Sequence, residues 1–327
     1  MMNLLDQKIF ASYNPSDSEP LPALLAGLLE NQKKSWPLAA EGYSSLQYVQ
    51  VREIRCNAFS VWLQFNPKRI VSTGAKVDAQ SISQRRCFLC AENLPSEQQG
   101  ILYENEYLVL CNPMPIFSAH YTISHIQHQP QIIAAHFDTL MQLARDLSPA
   151  FTVFYNGAQC GASAPDHFHF QAAPAGKIPI EPEAVKVSRR ELVQESDGVA
   201  IILLKDLGRA VLVLEGTNAE KLIRVLQQLL AKMQMSLHIS DEPKINILCQ
   251  YHAPQWRLIL FPRRKHRPDV FFKEGDERVL ISPASVDMGG LIVTPVEKDF
   301  KTVDAKMIEA IYREVSWDET TVRKLIE

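Results

Sequence analysis

Asp166-His167-Phe168-His169-Phe170-Gln171 decides the reading of this chain. Strand side chains alternate between two faces with a period of two, so an extended segment projects His167, His169 and Gln171 one way and Phe168 and Phe170 the other. The rings anchor one face to a core, and the three polar groups line up on the opposite face. A neutral imidazole in such a row can act as a nucleophile, and a neighbouring carboxamide can donate to developing negative charge. Just upstream, Asn156-Gly157-Ala158-Gln159-Cys160-Gly161-Ala162-Ser163 is rich in small residues, so its backbone can approach a phosphate closely.

The chain around this stretch is ordinary globular material. It has 327 residues, 46% of them apolar and 22% charged, enough for one large or two modest domains. A formal net charge of -3 supplies no basic field of the kind that holds nucleic-acid backbone, although a local cluster can still bind a small anion. No stretch approaches the roughly eighteen consecutive apolar residues of a membrane helix. Met1 to Phe10 lacks the basic start and apolar run of a secretory signal, so the expected location is cytoplasmic.

Six cysteines in a chain this long do not build a disulfide framework. Cys56, Cys111, Cys160 and Cys249 sit in apolar or strand-like segments and read as buried thiols. Cys87-Phe88-Leu89-Cys90 differs, because two thiolates at that spacing can share one tetrahedral ion. No βαβ setting surrounds the pair to argue for redox chemistry. Thiolate together with imidazole favours zinc over magnesium. His120, His125, His128, His136, His167 and His169 are the histidines that could complete such a site.

Periodicity organises the rest. Residues 1–45 read as a peripheral segment with a short helical pattern at Leu21, Leu24, Leu25 and Leu28. Residues 46–65 read as a two-stranded hairpin, Leu102 to Asn112 and Tyr121 to Ile126 as strands, and Gln131 to Leu147 as a helix with one buried stripe. Phe151 to Tyr155 is a further strand before the Gly/Ser loop. From residue 199 the plan repeats: strands at Val199 to Leu204 and Ala210 to Leu214, a helix over Asn218 to Met235, then strands at Asn246 to Gln250 and Trp256 to Phe261. This is an α+β pattern with a largely antiparallel sheet. The halves are expected over residues 46–198 and 199–327, and the second lacks a His-x-His-x-Gln triplet. A parallel between Tyr121–Pro130 and Trp256–Pro268, each an apolar strand running into a polar turn with histidine and proline, supports the duplication. It places Arg263 to Arg267 on a loop outside the core.

The His-x-His-x-Gln triplet after an Asn…Gly-x-Ser loop resembles the histidine triad superfamily, in its nucleotidyltransferase and phosphorylase branch. That branch contains galactose-1-phosphate uridylyltransferase, diadenosine tetraphosphate phosphorylase and GDP-L-galactose phosphorylase. The resemblance implies a histidine-triad-like antiparallel sheet with flanking helices, in two fused halves of which the second is degenerate. It also implies a covalent nucleotidyl-histidine intermediate, with His169 as nucleophile and Gln171 on the phosphoryl oxygens. It puts a structural zinc on Cys87, Cys90, His128 and His167, with His120 as an alternative to His128. Related proteins include dimers, which leaves a homodimer open, although two fused halves can satisfy that pairing internally.

The expected reaction moves a nucleoside monophosphate from a nucleotide-sugar or dinucleoside polyphosphate to phosphate or a sugar phosphate. Ser163 and the amides around Gly161 are placed to neutralise phosphoryl charge, and Asn156 to bind ribose or phosphate. Anionic acceptors need cations, for which Arg69 and Lys76 are candidates ahead of the Cys87–Cys90 pair. Arg263, Arg264, Lys265 and Arg267 form a denser cluster in the second half. Two other readings remain: a hydrolase of the same superfamily, against which Gln171 argues because hydrolases usually carry a third histidine there, and a nucleotide-binding sensor without turnover. Nothing in the sequence reads as specific for one nucleobase.

Overall fold

The computed structural model describes residues 4–326. Its strands are β1 (Ile9–Tyr13), β2 (Gln50–Arg55), β3 (Ser60–Phe65), β4 (Gly100–Tyr103), β5 (Tyr107–Cys111), β6 (Tyr121–His125), β7 (Phe151–Asn156), β8 (His169–Pro174), β9 (Arg190–Ser196), β10 (Val199–Leu204), β11 (Val211–Gly216), β12 (Ile245–His252), β13 (Gln255–Pro262) and β14 (Leu291–Thr294). Eleven of them form one sheet in the order β1-β4-β5-β6-β8-β7-β12-β13-β11-β10-β9, and β14-β3-β2 form a smaller second sheet. Apart from the parallel edge pair β1–β4, every pairing in the large sheet is antiparallel.

Alternation along the strands builds a core on each face. Phe168, Phe170, Val153, Tyr155, Ile247 and Cys249 point to the face covered by the helices Leu21–Ser35, Phe137–Asp146 and Ala219–Leu237. Phe154, Leu248, Ile259 and Phe261 point the other way, under the small sheet and the helix Ala305–Val315. The helix Ala219–Leu237 buries Leu222, Val225, Leu226, Leu229, Leu230 and Met233 at helical spacing. Asn218 caps it by accepting the Lys221 amide at 3.0 Å, and a left-handed His238 at φ 54° ends it.

The duplication is written in the topology. The first half runs β4, β5, β6, helix, β7, β8 and the second β9, β10, β11, helix, β12, β13, with the same neighbour order within the sheet. The two helices lie on one face of one sheet, in one core. The halves meet where β7 pairs with β12, Asn156 opposite Asn246. The parallel between Tyr121–Pro130 and Trp256–Pro268 is corrected by this order: β6 corresponds to β11, and β13 occupies the place of β8.

Other expectations shift as well. Leu102 to Asn112 is a hairpin, because Glu104 and Asn105 take positive φ (48° and 57°) and turn the chain between Tyr103 and Tyr107. The helix expected from Gln131 begins at Phe137, and Gln131 instead lies in the connection before it with its side chain bonded to the start of β8. Residues 1–45 are expected to be peripheral. Ile9–Tyr13 instead joins the sheet edge, and Leu21, Leu25, Leu28 and Trp36 are buried in the main core. β9 starts the second half of the sheet ahead of residue 199.

Phe170 is fully buried and touches Tyr107, Tyr155 and Phe168. Phe170→Ala is expected to lower unfolding stability by about 3–5 kcal/mol, read from the midpoint of urea denaturation at unchanged m-value.

Candidate active site

β8 begins at His169, so His169 and Gln171 share a strand face, while His167 lies just before it. That corrects the expectation of three polar groups on one regular strand, and frees His167 to reach elsewhere. Gln131 fixes the start of the strand. Its Oε1 accepts the His169 N–H at 2.7 Å, and its Nε2 donates to the His169 carbonyl at 2.8 Å and the Asn156 carbonyl at 2.9 Å. His169 Nδ1 lies 2.9 Å from the His167 carbonyl. A carbonyl only accepts, so Nδ1 carries the hydrogen and Nε2 keeps its lone pair. Burial is the main influence on this ring and brings its pKa down to about 4, so the imidazole is neutral at physiological pH.

Gln171 is oriented from the neighbouring segment. His120 Nδ1 accepts the Ile116 N–H at 3.2 Å, so the His120 hydrogen sits on Nε2 and donates to Gln171 Oε1 at 2.8 Å. With its oxygen engaged, Gln171 has its NH2 group left to donate. Burial, then the nearby Arg69 charge, holds His120 down at about 3 and therefore neutral.

His169 and Gln171 line a cavity of about 580 Å³, as do Arg69, Lys76, Asn156, Gly161 and Ser163. Asn156 Oδ1 accepts from Asn246 Nδ2 and from the Ser285 N–H and hydroxyl at 2.7–3.0 Å, which leaves its amide nitrogen free to donate. Gly161 is at φ +92°, and a Cβ there would lie 2.5 Å from the Ala284 Cβ, so only glycine fits. Arg69 donates to the Met114 carbonyl at 2.7 Å, and its buried Nε has no partner. Arg85 and Arg267 also line the cavity. Arg85 is held by Asp166 with its Nη1 unpartnered, and Arg267 donates to Ser282 Oγ and the Ala75 carbonyl. With Lys76 this makes four cations around one cavity, an arrangement suited to an anionic ligand.

Cys87, Cys90, His128 and His167 bring one ligand atom each to within 4.8 Å of one another. His167 Nε2 faces the His125 carbonyl at 2.7 Å and therefore carries the hydrogen, which turns the unprotonated Nδ1 to Cys87 Sγ (3.2 Å) and Cys90 Sγ (3.5 Å). His128 Nδ1 is 3.3 Å from Cys90 Sγ. Tetrahedral bonds of about 2.3 Å to sulfur and 2.0 Å to nitrogen separate the two atoms by about 3.5 Å, so the donor set fits a thiophilic ion such as zinc. Burial and the neighbouring Cys87 push the Cys90 thiol up to about 12, a cost that a bound cation removes. His120 lies outside this group and is committed to Gln171.

Arg263 and Arg264 do not line the cavity, and the expectation that residues 263–267 stay out of the core is corrected. Arg263 is only 1% exposed. Its five N–H groups are all used, on Asn246 Oδ1 and on the carbonyls of Pro283, Val315, Lys265 and His266, at 2.7–3.2 Å. It ties β13 to its surroundings and has no donor left for a ligand. Arg264 is exposed and points to the Arg313 carbonyl.

Residues 28–174 match the family described as a domain of unknown function, DUF4922, and residues 183–327 match the family described as GDPGP1-like, C-terminal domain. No curated protein matches the chain by sequence. Among solved structures it is similar to yeast Ap4A phosphorylase Apa2, with a TM-score of 0.55 at 16% identity over 88% of this chain and 94% of that one. The same yeast protein in complex with Ap4A gives 0.54 at 14% identity, over 88% and 97%. The chain shares its fold with this yeast protein over most of the length of both chains. Among the described residues no helix is long and apolar enough to cross a membrane.

Sequence reasoning missed the residues that act through others. His120 carried one signal, its place opening β6 opposite the Gln171 region. Gln131, read as the first residue of a helix, carried none, because its partners are main-chain atoms 25 and 38 residues away. Arg85, beside Arg86 just ahead of Cys87, reads equally well from sequence as a surface charge or an anion contact.

Elemental analysis of freshly purified protein is expected to find about one zinc per chain. Cys87→Ser or His167→Ala should lose the metal and lower the melting temperature together. Failure of the wild-type chain to bind zinc on reconstitution under reducing conditions would remove the site.

Proposed function

We propose that this protein is a nucleotidyltransferase of the phosphorylase type. It moves a nucleoside monophosphate from a nucleotide-sugar or dinucleoside polyphosphate to phosphate or a sugar phosphate, through a nucleotidyl group on His169. The observation that carries the reading is the state of the His169 ring. Nδ1–H is committed to the His167 carbonyl, so the free lone pair is on Nε2, in a ring that lines the cationic cavity beside Gln171.

In the first step the Nε2 lone pair attacks the α-phosphorus. The bond to the bridging oxygen breaks, and the electron pair leaves with the sugar-phosphate or nucleoside-polyphosphate group. The His169 ring becomes cationic while phosphorylated, and the His167 carbonyl facing Nδ1–H stabilises that charge. Gln171 Nε2–H, Ser163 and the Asn156 amide donate to the phosphoryl oxygens. In the second step an acceptor phosphate oxygen attacks the same phosphorus and returns the pair to Nε2. Arg69, Lys76, Arg85 and Arg267 hold the leaving and accepting anions. A zinc on Cys87, Cys90, His128 and His167 would supply rigidity only, fixing the loop from which His169 starts. The yeast phosphorylase crystallised with Ap4A and with AMP supports a nucleotide as the ligand class.

Gln171 favours an anionic acceptor over water, since a carboxamide pinned by His120 neutralises charge without offering a titrating proton. Incubation with α-labelled nucleotides is expected to give an acid-labile, base-stable adduct on wild-type protein and none on His169→Ala. That variant should lose at least about a thousandfold in kcat with its fold intact. Turnover within about tenfold of wild type would overturn the nucleophile.

A further inference from the structure

Glu242 lies between the helix Ala219–Leu237 and β12, in the second half, yet it reaches into the first. Its Oε2 accepts the Ile133 N–H at 2.6 Å, and its Oε1 is 2.6 Å from Tyr155 Oη. Tyr155 Oη is in turn 3.0 Å from the carbonyl of Gln131, the residue whose side chain grips both main-chain groups of His169.

The hydrogens can be counted. Tyr155 has one hydroxyl hydrogen, and the Gln131 carbonyl can only accept, so that hydrogen belongs to the Gln131 contact. The 2.6 Å contact between Tyr155 Oη and Glu242 Oε1 is a normal O–H···O distance and needs a hydrogen of its own. Only a protonated carboxyl supplies it. Oε2 is already an acceptor, so the proton sits on Oε1. The relay then reads Glu242 Oε1–H to Tyr155 Oη, Tyr155 Oη–H to Gln131 carbonyl, with every partner satisfied. If Glu242 ionises, the tyrosine hydroxyl turns to the carboxylate and the buried Gln131 carbonyl loses its donor.

We propose that Glu242 is a positioning residue that works protonated, holding His169 in place through Tyr155 and Gln131. This rests on the reading of His169 as nucleophile. Burial favours the proton, moving the carboxyl from an ordinary 4.5 up to about 7. The titratable groups facing it are Tyr155 on β7 and Cys160 in the loop beyond, both themselves raised chiefly by burial. Asp241 and Lys244 flank it on its own segment. Among the described residues no lysine or arginine forms an ion pair with it that would hold the carboxylate.

Because the folded pKa is raised, the associated stabilisation is complete below about 4.5 and is lost as pH rises through about 7. Glu242→Gln keeps a donor toward Tyr155 and an acceptor for Ile133 at every pH, whereas Tyr155→Phe cuts the relay. Difference infrared spectra between pH 6 and 9 should show a carboxylic-acid band in wild type that Glu242→Gln lacks. Wild-type kcat should fall by about tenfold as pH rises through the neutral range, while Glu242→Gln stays level over it. Tyr155→Phe should be low throughout, in kcat more than in KM. Carbethoxylation of His169, followed by mass spectrometry without any nucleotide, should differ in rate between wild type and Tyr155→Phe. Absence of the acid band, the same alkaline limb in Glu242→Gln, or equal carbethoxylation rates would overturn the proposal. A wild type that forms no nucleotidyl adduct at any pH would overturn the functional reading instead, and the infrared and carbethoxylation results would still judge the relay.

Discussion

The hydrogen bond from His169 Nδ1 to the carbonyl of His167 fixes which ring nitrogen faces the cavity with its lone pair free. It spans two residues, so it is only as fixed as the backbone that carries it. His167 is held on one side by the His125 carbonyl and on the other by two thiols. His169 is held by both ends of the Gln131 carboxamide. Between these supports the imidazole has one tautomer, one rotamer and one lone pair to offer. His169 is itself buried, and that burial keeps the ring neutral.

Much of this was legible from residue order, and the limits have a physical pattern. Alternation in His169-Phe170-Gln171 fixes faces regardless of context, and the Cys87–Cys90 spacing marks a shared centre whatever the fold. Helical stripes at Leu140, Met141, Leu143, Ala144 and at Leu222 to Met233 show because burial repeats at the helical period. What escaped depends on partners far apart in sequence. Arg263 sits in a run that looks like a basic loop, and only the arrival of Val315, Pro283 and Asn246 converts its guanidinium into a buried clamp. The Tyr103–Tyr107 turn escaped for a local reason: Glu104 and Asn105 take positive φ without a glycine to announce it. The cavity itself is assembled from both halves and the N-terminal helices, so no single stretch of sequence outlines it.

The degenerate half is no passive remnant. It supplies Arg267 and Ala284 to the cavity wall and, through Asn246, fixes the orientation of the Asn156 carboxamide. β13, which holds the place of β8 in the second half, has no histidine and is fully apolar at its centre, where Leu258, Ile259, Leu260 and Phe261 are all buried.

Asn156 and Asn246 face each other as register partners across the joint between β7 and β12. The bond between them runs one way only, from Asn246 Nδ2 to Asn156 Oδ1. If two identical copies met at such a joint, the symmetry axis would make both members of the pair equivalent, and neither could be the permanent donor. Fusion into one chain breaks that degeneracy. Ser285 and Arg263, each present once, bias the pair, so that one amide always opens toward the cavity and the other always toward the scaffold. Covalent linkage thus gives this protein a polarity that a symmetric assembly lacks.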